Sequence, residues 1–274
     1  MILTELAQSK KNFALALSGG GVKGLAHIAL LKEFDRHGLR PSLISGTSMG
    51  AIIGALYARG LSGQEIEDKV RSHILQKGEK VKSVFKRRKH LLKWAKVFTF
   101  EKSRGGFFTA DGLFEHLFYE LKDCHFSDLA TPFVAVATDF YTGHEVELSQ
   151  GELLTAVKAS MAVPGVFAPV EVNDRLLVDG GVVNNLPVKQ IFNKADVTFA
   201  SDVISLHQKR DPNPIQSLSG SVNIMLRQST RLQLEAYPVT HLIEPDTTGV
   251  ELFDFRKIGK ILTMSEQSVR EQIS

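Results

Sequence analysis

Near the start of the chain stands the run Ile44-Ser45-Gly46-Thr47-Ser48-Met49-Gly50-Ala51, and the rest of the sequence is best interpreted outward from it. It consists of a short apolar segment, then Gly-x-Ser-x-Gly, then small helix-forming residues. This order predicts a sharp strand-to-helix turn that exposes the Ser48 hydroxyl as a nucleophile. The flanking glycines suit such a turn because a Cβ atom would collide there. The same pattern also fits an ordinary glycine- and serine-rich loop, so the surrounding sequence has to decide.

The residues before this turn predict another strand, loop and helix. Phe13 to Ser18 has the apolar character of a buried strand, three glycines stop it, and Val22 to His37 resumes with helical spacing. The strand at Leu43 to Ser45 and a helix from Ser48 to Arg59 follow. The order β-α-β-α predicts an α/β fold with a parallel sheet, in which ligands gather at the carboxyl ends of the strands.

The later part of the chain predicts further strands and helices. Two capping boxes, Ser62-Gly63-Gln64-Glu65 and Ser149-Gln150-Gly151-Glu152, each predict the start of a helix. Asn173-Asp174 predicts a hairpin turn between two short strands. The second of these strands, Arg175 to Val178, runs directly into Asp179-Gly180-Gly181. Further strands are predicted at 133–137, 145–148 and 197–200, and helices near 222–236 and 258–272.

Three features then require one explanation: a glycine loop after the first strand, an exposed serine after the second, and an aspartate at the end of a later strand. Backbone N–H groups of the glycine loop could form an oxyanion hole for a carbonyl held over Ser48. Asp179 is one candidate for the base that activates the serine. A histidine base also remains open at this stage, and the candidates are His207 and His241.

Four blocks of this sequence resemble those of the patatin-like phospholipases, in the same order. They are GGGVKG from Gly19, GTSMG from Gly46, ASMAVPGVFAP from Ala159, and DGG from Asp179. The resemblance spans about 160 residues and implies a three-layer α/β/α fold with a mainly parallel central sheet. It also implies lipid acyl-ester hydrolysis by a dyad of Ser48 and Asp179 through an acyl-enzyme intermediate. By the same resemblance the oxyanion loop comprises Gly19, Gly20, Gly21 and Gly24.

Composition sets the broader expectations. The length of 274 residues and the ordinary content of hydrophobic and charged residues predict one globular catalytic domain over residues 1–274. The single cysteine, Cys124, excludes an intramolecular disulfide and fits a reducing compartment. Neither a secretory signal nor a membrane-spanning run is evident, so a cytoplasmic protein, or one peripheral to the inner face of the membrane, is expected. No cofactor or metal is expected, because no ligand-spaced cluster of His and Asp occurs.

Positive charge is concentrated in one segment, Lys77 to Arg104, which has eleven lysines and arginines and two glutamates. Apolar residues, with Trp94 among them, recur between the cations near helical spacing. The segment, set within an insert at about 77–106, is interpreted as a solvated helix face, as a lid or contact with anionic membrane, or as a nucleic-acid site. Nucleic acid is the least favoured partner, and a phospholipid or other acyl ester is the expected substrate.

Other classes of protein fit these features less well. Gly19-x-Gly21-x-x-Gly24 fits a dinucleotide-binding fingerprint, but no acidic residue ends the second strand to hold a ribose. A phosphate-binding P-loop fails because Gly24 is followed by Leu25 instead of Lys and Ser or Thr. A noncatalytic membrane-associated adaptor or regulator on the same scaffold remains the alternative. The sequence leaves open the acyl chain length, head group, positional preference and oligomeric state.

The basic segment generates a testable prediction. If Lys77 to Arg104 contacts anionic lipid, each cation near the surface contributes about 1 kcal/mol, and salt screens that attraction. Binding to anionic vesicles, measured by co-sedimentation, should therefore fall steeply between 50 and 500 mM salt, values chosen to span about a threefold change in Debye length. Salt-insensitive binding would contradict the electrostatic interpretation.

Overall fold

The computed structural model describes residues 1–82, 119–205 and 214–274. The helices and strands below are numbered within these ranges. The helices are α1 (Ile2–Gln8), α2 (His27–Arg36), α3 (Met49–Ala58), α4 (Gly63–Lys82), α5 (Leu153–Ser160), α6 (Pro214–Ala236) and α7 (Ile258–Ile273). The strands are β1 (Phe13–Leu17), β2 (Leu43–Thr47), β3 (Phe133–Asp139), β4 (Glu145–Leu148), β5 (Val170–Val172), β6 (Arg175–Asp179), β7 (Val197–Ser201) and β8 (His241–Ile243).

These strands form one mixed sheet in the order β5-β6-β3-β2-β1-β7-β8, with β4 paired to β3. The pairs from β3 through β2, β1 and β7 to β8 are parallel, whereas β3 with β4, β3 with β6 and β5 with β6 are antiparallel. Helices flank this central sheet. The predicted α/β fold with a mainly parallel sheet is therefore confirmed.

Strand β1 shows how the sheet separates two cores. Phe13, Leu15 and Leu17 belong to the larger core, which the helices α1 to α5 and α7 share. The alternate residues Ala14 and Ala16 face the other side, where they pack with the segment 186–191 and the end of α6. Because side chains alternate along a strand, the large residues fill the space under the helices. The small alanines let the chain on the second face approach the sheet closely.

Strands β2 and β6 lie end to end along one edge of β3. Thr47 at the end of β2 pairs with Val136, and Asp179 at the end of β6 pairs with the next residue, Ala137. The opposite edge of β3 is occupied there by β4. Because β2 and β6 run in opposite directions on the same edge, their carboxyl ends meet. The residue after β2 is Ser48, so the topology brings Ser48 and Asp179 together.

Several local predictions can be compared with the structure. The Ser62 capping box is confirmed, since Glu65 accepts from the Ser62 N–H at 2.8 Å and its own N–H donates to the Ser62 hydroxyl at 3.2 Å. The box predicted at Ser149 is wrong, because α5 begins at Leu153 and Glu152 occupies its N-cap position. Gly151, with φ +82°, turns the chain before the helix.

The predicted basic insert at about 77–106 lies for the most part outside the described residues. Within it, the backbone of α4 continues as helix to Lys82. Within the ranges that the structure describes, no helix combines the length and the apolar character needed to cross a bilayer.

The meeting point of β3 and β6 leaves no room for a side chain on Gly180. A Cβ atom there would lie 2.2 Å from the Val136 carbonyl oxygen. We expect Gly180→Ala to lower the free energy of unfolding by about 2 kcal/mol or more, because backbone has to move. Denaturant unfolding measures the loss, and Gly259→Ala is the control because its Cβ would meet nothing within 4 Å. Equal stability of the two variants would contradict the close packing.

Candidate active site

Ser48 occupies a strained turn between β2 and α3. It is the N-cap residue of α3 and has φ 54° and ψ −121°, a conformation that residues with a side chain rarely adopt. Its side chain is nearly buried. The first N–H groups of α3 follow directly, and a helix N-terminus stabilises negative charge. The structure therefore places this hydroxyl at a position suited to a nucleophile.

The two glycines that flank the serine are required by packing. A Cβ on Gly46 would lie 2.5 Å from the Gly50 carbonyl oxygen, and one on Gly50 would lie 2.4 Å from the Leu17 carbonyl oxygen. Helix α3 can cross the ends of β1 and β2 this closely only without those side chains. The Gly-x-Ser-x-Gly pattern is thus explained by the approach of one helix to two strands.

Asp179 is held by its backbone and by one carboxylate oxygen. Its N–H donates to the Ala162 carbonyl at 3.0 Å, and its carbonyl accepts from the Thr138 hydroxyl at 3.0 Å. Oδ1 accepts from the Gly181 N–H at 2.7 Å. Oδ2 is buried, and among the described residues it has no partner of full hydrogen-bond geometry. One oxygen is thus fixed and the other is available for a proton.

Burial raises the pKa of the Asp179 carboxyl from its ordinary 3.8 to about 6. The Ser48 hydroxyl and the Gly181 N–H oppose this by stabilising the charged form, but their effect is smaller. The strand register places the Ser48 turn next to this carboxyl, since Thr47 and Asp179 pair with neighbouring residues of β3. A carboxylate with an elevated pKa accepts a proton more readily than an exposed aspartate does.

The four predicted oxyanion glycines divide into two groups. The Gly19 N–H donates to the Asn185 carbonyl at 2.9 Å, and a Cβ on Gly24 would lie 2.5 Å from Cγ of Met49. Gly19 is therefore bonded to its neighbour and Gly24 makes room for α3. The N–H groups of Gly20 and Gly21 have no hydrogen-bond partner within the described ranges. The glycine loop passes beside the serine, since a Cβ on Gly19 would lie 3.1 Å from Cβ of Ser48.

Asn185 links the glycine loop to the aspartate turn, a role that the sequence did not indicate. Its carbonyl accepts from Gly19 N–H, and its amide nitrogen donates to the Gly19 carbonyl at 3.4 Å. A Cβ atom on Gly181 would lie 3.2 Å from the Asn185 side-chain oxygen. The asparagine therefore lies between Gly19 and Gly181.

The histidines predicted as alternative bases are not brought to Ser48 by the described structure. His207 lies outside the described residues. His241 is on β8, three strands from β2, where its ring packs on Phe199. This arrangement favours Asp179 over His241 as the partner of the serine.

A different histidine, His27, lies behind the glycine loop and was not predicted. Its Nε2 is 2.9 Å from the Ser18 carbonyl oxygen, and its Nδ1 is 2.9 Å from the Ser201 hydroxyl. Because a carbonyl can only accept, Nε2 carries the proton and Nδ1 accepts from Ser201. Burial lowers the His27 pKa to about 4. This neutral ring holds the residue that precedes Gly19, and both of its nitrogens are occupied.

Ser160 also approaches the site without having been predicted as a site residue. Its hydroxyl accepts from the Ser48 N–H at 3.0 Å and donates to the Val136 carbonyl at 2.6 Å. The sequence signal was its place in the ASMAVPGVFAP block, which gave no hint of this contact. Over the ranges that the structure covers, no group of three or more His, Cys, Asp and Glu side chains is arranged to hold a metal ion.

The fold and the site together define a class, the α/β proteins that present a serine on a strained strand-to-helix turn. A family model described as patatin-like phospholipase matches residues 15–192, which include Ser48, Asp179 and the glycine loop. The chain belongs to the patatin-like phospholipase family.

Relatives and solved structures agree with this assignment. An uncharacterized NTE family protein of Mycobacterium tuberculosis (strain ATCC 25618 / H37Rv) is 32% identical over 202 residues, covering 70% of this chain and 49% of the relative. Lysophospholipase NTE1 of Coccidioides immitis (strain RS) is 29% identical over 211 residues, covering 77% of this chain and 13% of that protein. The matched region of this chain thus covers about half the length of the Mycobacterium tuberculosis relative and a much smaller share of the Coccidioides immitis relative.

The crystal structure of VipD from Legionella pneumophila is similar in fold. The superposition has a TM-score of 0.50 with 13% sequence identity, and it covers 96% of this chain and 67% of that chain.

The buried carboxyl of Asp179 generates a stability prediction. Raising its pKa from 3.8 to about 6 on folding costs up to about 3 kcal/mol at pH 7, where the group is charged. We expect Asp179→Asn to raise the free energy of unfolding at pH 7 by about 2 kcal/mol, because the neutral amide avoids that cost. The gain should disappear by about pH 4, where the wild-type carboxyl is protonated in the folded state.

Urea unfolding at both pH values measures this difference. Asp196→Asn is the control, because the Asp196 carboxylate is exposed to solvent, where it accepts a hydrogen bond from the Asn12 N–H. A wild-type protein that is more stable than Asp179→Asn at pH 7 would contradict an unfavourable buried charge.

Proposed function

We propose that this protein is a serine acyl hydrolase that cleaves carboxylic esters of lipids, with Ser48 as nucleophile and Asp179 as general base. One observation carries the proposal: a serine on a strained turn at a helix N-terminus lies beside a buried carboxyl that has one available oxygen. Family membership supports the same activity. All described strands belong to one sheet, which supports a single catalytic domain.

The proposed reaction proceeds in two steps. Asp179 takes the proton from Ser48 Oγ while Oγ forms a bond to the ester carbonyl carbon. The tetrahedral intermediate collapses, the C–O bond to the alcohol breaks, and the proton passes from Asp179 to the departing alcohol. Water then attacks the acyl-enzyme, giving its proton to Asp179, and the fatty acid leaves as the proton returns to Ser48.

Negative charge on the carbonyl oxygen is stabilised by backbone donors in this mechanism. Gly20 and Gly21 are the proposed donors of the glycine loop, because their N–H groups have no other partner in the described ranges. Gly19 and Gly24 instead shape the loop. Removal of one such donor typically costs about 10²- to 10³-fold in rate. The base being a carboxylate, alignment with the hydroxyl has to compensate for its modest basicity.

The substrate proposed first is a lysophospholipid. A similar protein bears the name lysophospholipase, and the family name specifies phospholipids. A single acyl chain leaves the aggregate more readily than a double-chain lipid, so it is the simplest lipid for a nearly buried serine to reach. Phospholipids, neutral esters and thioesters are the comparison substrates.

A serine-reactive phosphonate and a panel of acyl esters test this function. The wild-type protein should be labelled at Ser48 and should hydrolyse lysophosphatidylcholine. The Ser48→Ala variant should not be labelled, and its kcat for lysophosphatidylcholine should be lower by at least about 10⁴-fold. Ser42→Ala, at the opposite end of β2, is the control. Mass spectrometry identifies the labelled residue.

The pH profile distinguishes the proposed base. Because Asp179 has to be ionised to accept the proton, kcat/KM should fall as pH drops through about 6. Asp179→Asn should lose activity at every pH. An Asp179→Asn variant that is labelled at Ser48 and still active would indicate another base. A wild-type protein that is neither labelled nor active on the esters would favour the noncatalytic adaptor.

A further inference from the structure

The corner that follows α5 contacts the backbone of both proposed catalytic residues. Ser160 is the last residue of α5 and is completely buried. Its hydroxyl accepts a hydrogen bond from the Ser48 N–H at 3.0 Å. Two residues further on, the Ala162 carbonyl accepts from the Asp179 N–H at 3.0 Å. Three consecutive residues, 160–162, thus bond to the nucleophile on one side and to the base on the other.

The same corner is anchored to the strand that both residues flank. The Ser160 hydroxyl donates to the Val136 carbonyl at 2.6 Å, and Val136 pairs with Thr47, the residue before Ser48. The neighbouring Ala137 pairs with Asp179. Every link in this arrangement is short and buried. The separation between the two catalytic backbones therefore depends on one stretch of β3 and on the 160–162 corner.

We propose that the 160–162 corner sets the distance and orientation between Ser48 and Asp179, and that Ser160 is the positioning residue within it. The inference rests on the proposed function, because it assigns a role in the same site. It gives the third sequence block, ASMAVPGVFAP, a physical purpose that its composition does not reveal.

The chemistry of the hydroxyl explains why a serine is needed. Ser48 follows the last residue of β2 in the buried interior, so its N–H needs an acceptor there. The Val136 carbonyl needs a donor on the same side. A hydroxyl supplies both at once, whereas alanine supplies neither and a thiol is a weak substitute. Ser160 itself is completely buried, so water cannot easily replace the missing bonds.

Substitution of Ser160 tests the proposal. In Ser160→Ala we expect kcat to fall by about 10- to 100-fold with little change in KM, because a misplacement of about 1 Å can cost 10²-fold. The acidic limb, which is the fall of kcat/KM at low pH, should also move to higher pH. The Ser48 hydroxyl lowers the Asp179 pKa, and that influence weakens if the turn relaxes. Ser160→Thr, which keeps the hydroxyl, should recover most of kcat.

Ser45→Ala is the matched control. Ser45 is completely buried on the same strand as the nucleophile turn, and its hydroxyl donates to the Pro187 carbonyl at 2.7 Å. Removal of the Ser45 hydroxyl should lower the free energy of unfolding about as much as Ser160→Ala does. The kcat and acidic limb of Ser45→Ala should stay at wild-type values, because the Ser45 hydroxyl bonds to the Pro187 carbonyl and holds neither Ser48 nor Asp179.

An activity-independent measurement separates this proposal from the proposed function. Hydrogen exchange of the Ser48 amide, followed by NMR, should be faster in Ser160→Ala than in the wild type or in Ser45→Ala. A folded Ser160→Ala variant with wild-type kcat, acidic limb and Ser48 exchange overturns the proposal. If Ser160→Ala does not fold, Ser160→Cys is measured, and wild-type values there overturn it equally. If the wild type proves inactive, the proposed function fails, and unchanged Ser48 exchange would still refute the role of Ser160.

Discussion

The structure depends on the meeting of β2 and β6 along one edge of β3. Parallel strands bring their carboxyl ends to one end of a sheet, but β6 is antiparallel to β3 and would ordinarily end at the opposite side. It reaches Ser48 because it is short and stops at the residue that faces Ala137, one position beyond the end of β2. The approach of Ser48 to Asp179 thus follows from the register of two strands on a third.

Small residues make this meeting possible. Gly46 and Gly50 let α3 cross the strands, Gly180 lets the end of β6 lie against the Val136 carbonyl, and the alanines of β1 let the second face approach. A Cβ at each of the three glycines would clash with a backbone carbonyl oxygen. The glycines near the site therefore serve packing as much as backbone flexibility. Within the predicted oxyanion loop, the N–H groups of Gly20 and Gly21 have no partner in the described part of the chain.

The site also contains unfavourable features that the surrounding fold has to offset. A nonglycine residue at positive φ and a buried carboxylate with one unpartnered oxygen both cost stability. Neighbouring groups fix the same atoms: Ser160 holds the Ser48 N–H, Gly181 holds Asp179 Oδ1, and Asn185 holds the glycine loop. Buried polar bonds of this kind keep the strained arrangement in one geometry, which is what a reaction at the serine would require.

Sequence alone determined the α/β class, the strands β1 to β7 and the turn that carries Ser48, because apolar runs and glycine positions are local signals. It missed α1 and β8, which are short and depend on packing against neighbours. It could not separate Asp179 from a histidine base without the family resemblance, nor distinguish Gly20 and Gly21 from Gly19 and Gly24. The hydrogen bond of the Gly19 N–H and the contacts of Ser160, Asn185 and His27 were decided only by tertiary structure. The physical reason is that they are hydrogen bonds between residues far apart in the chain, and their geometry depends on strand register and helix packing.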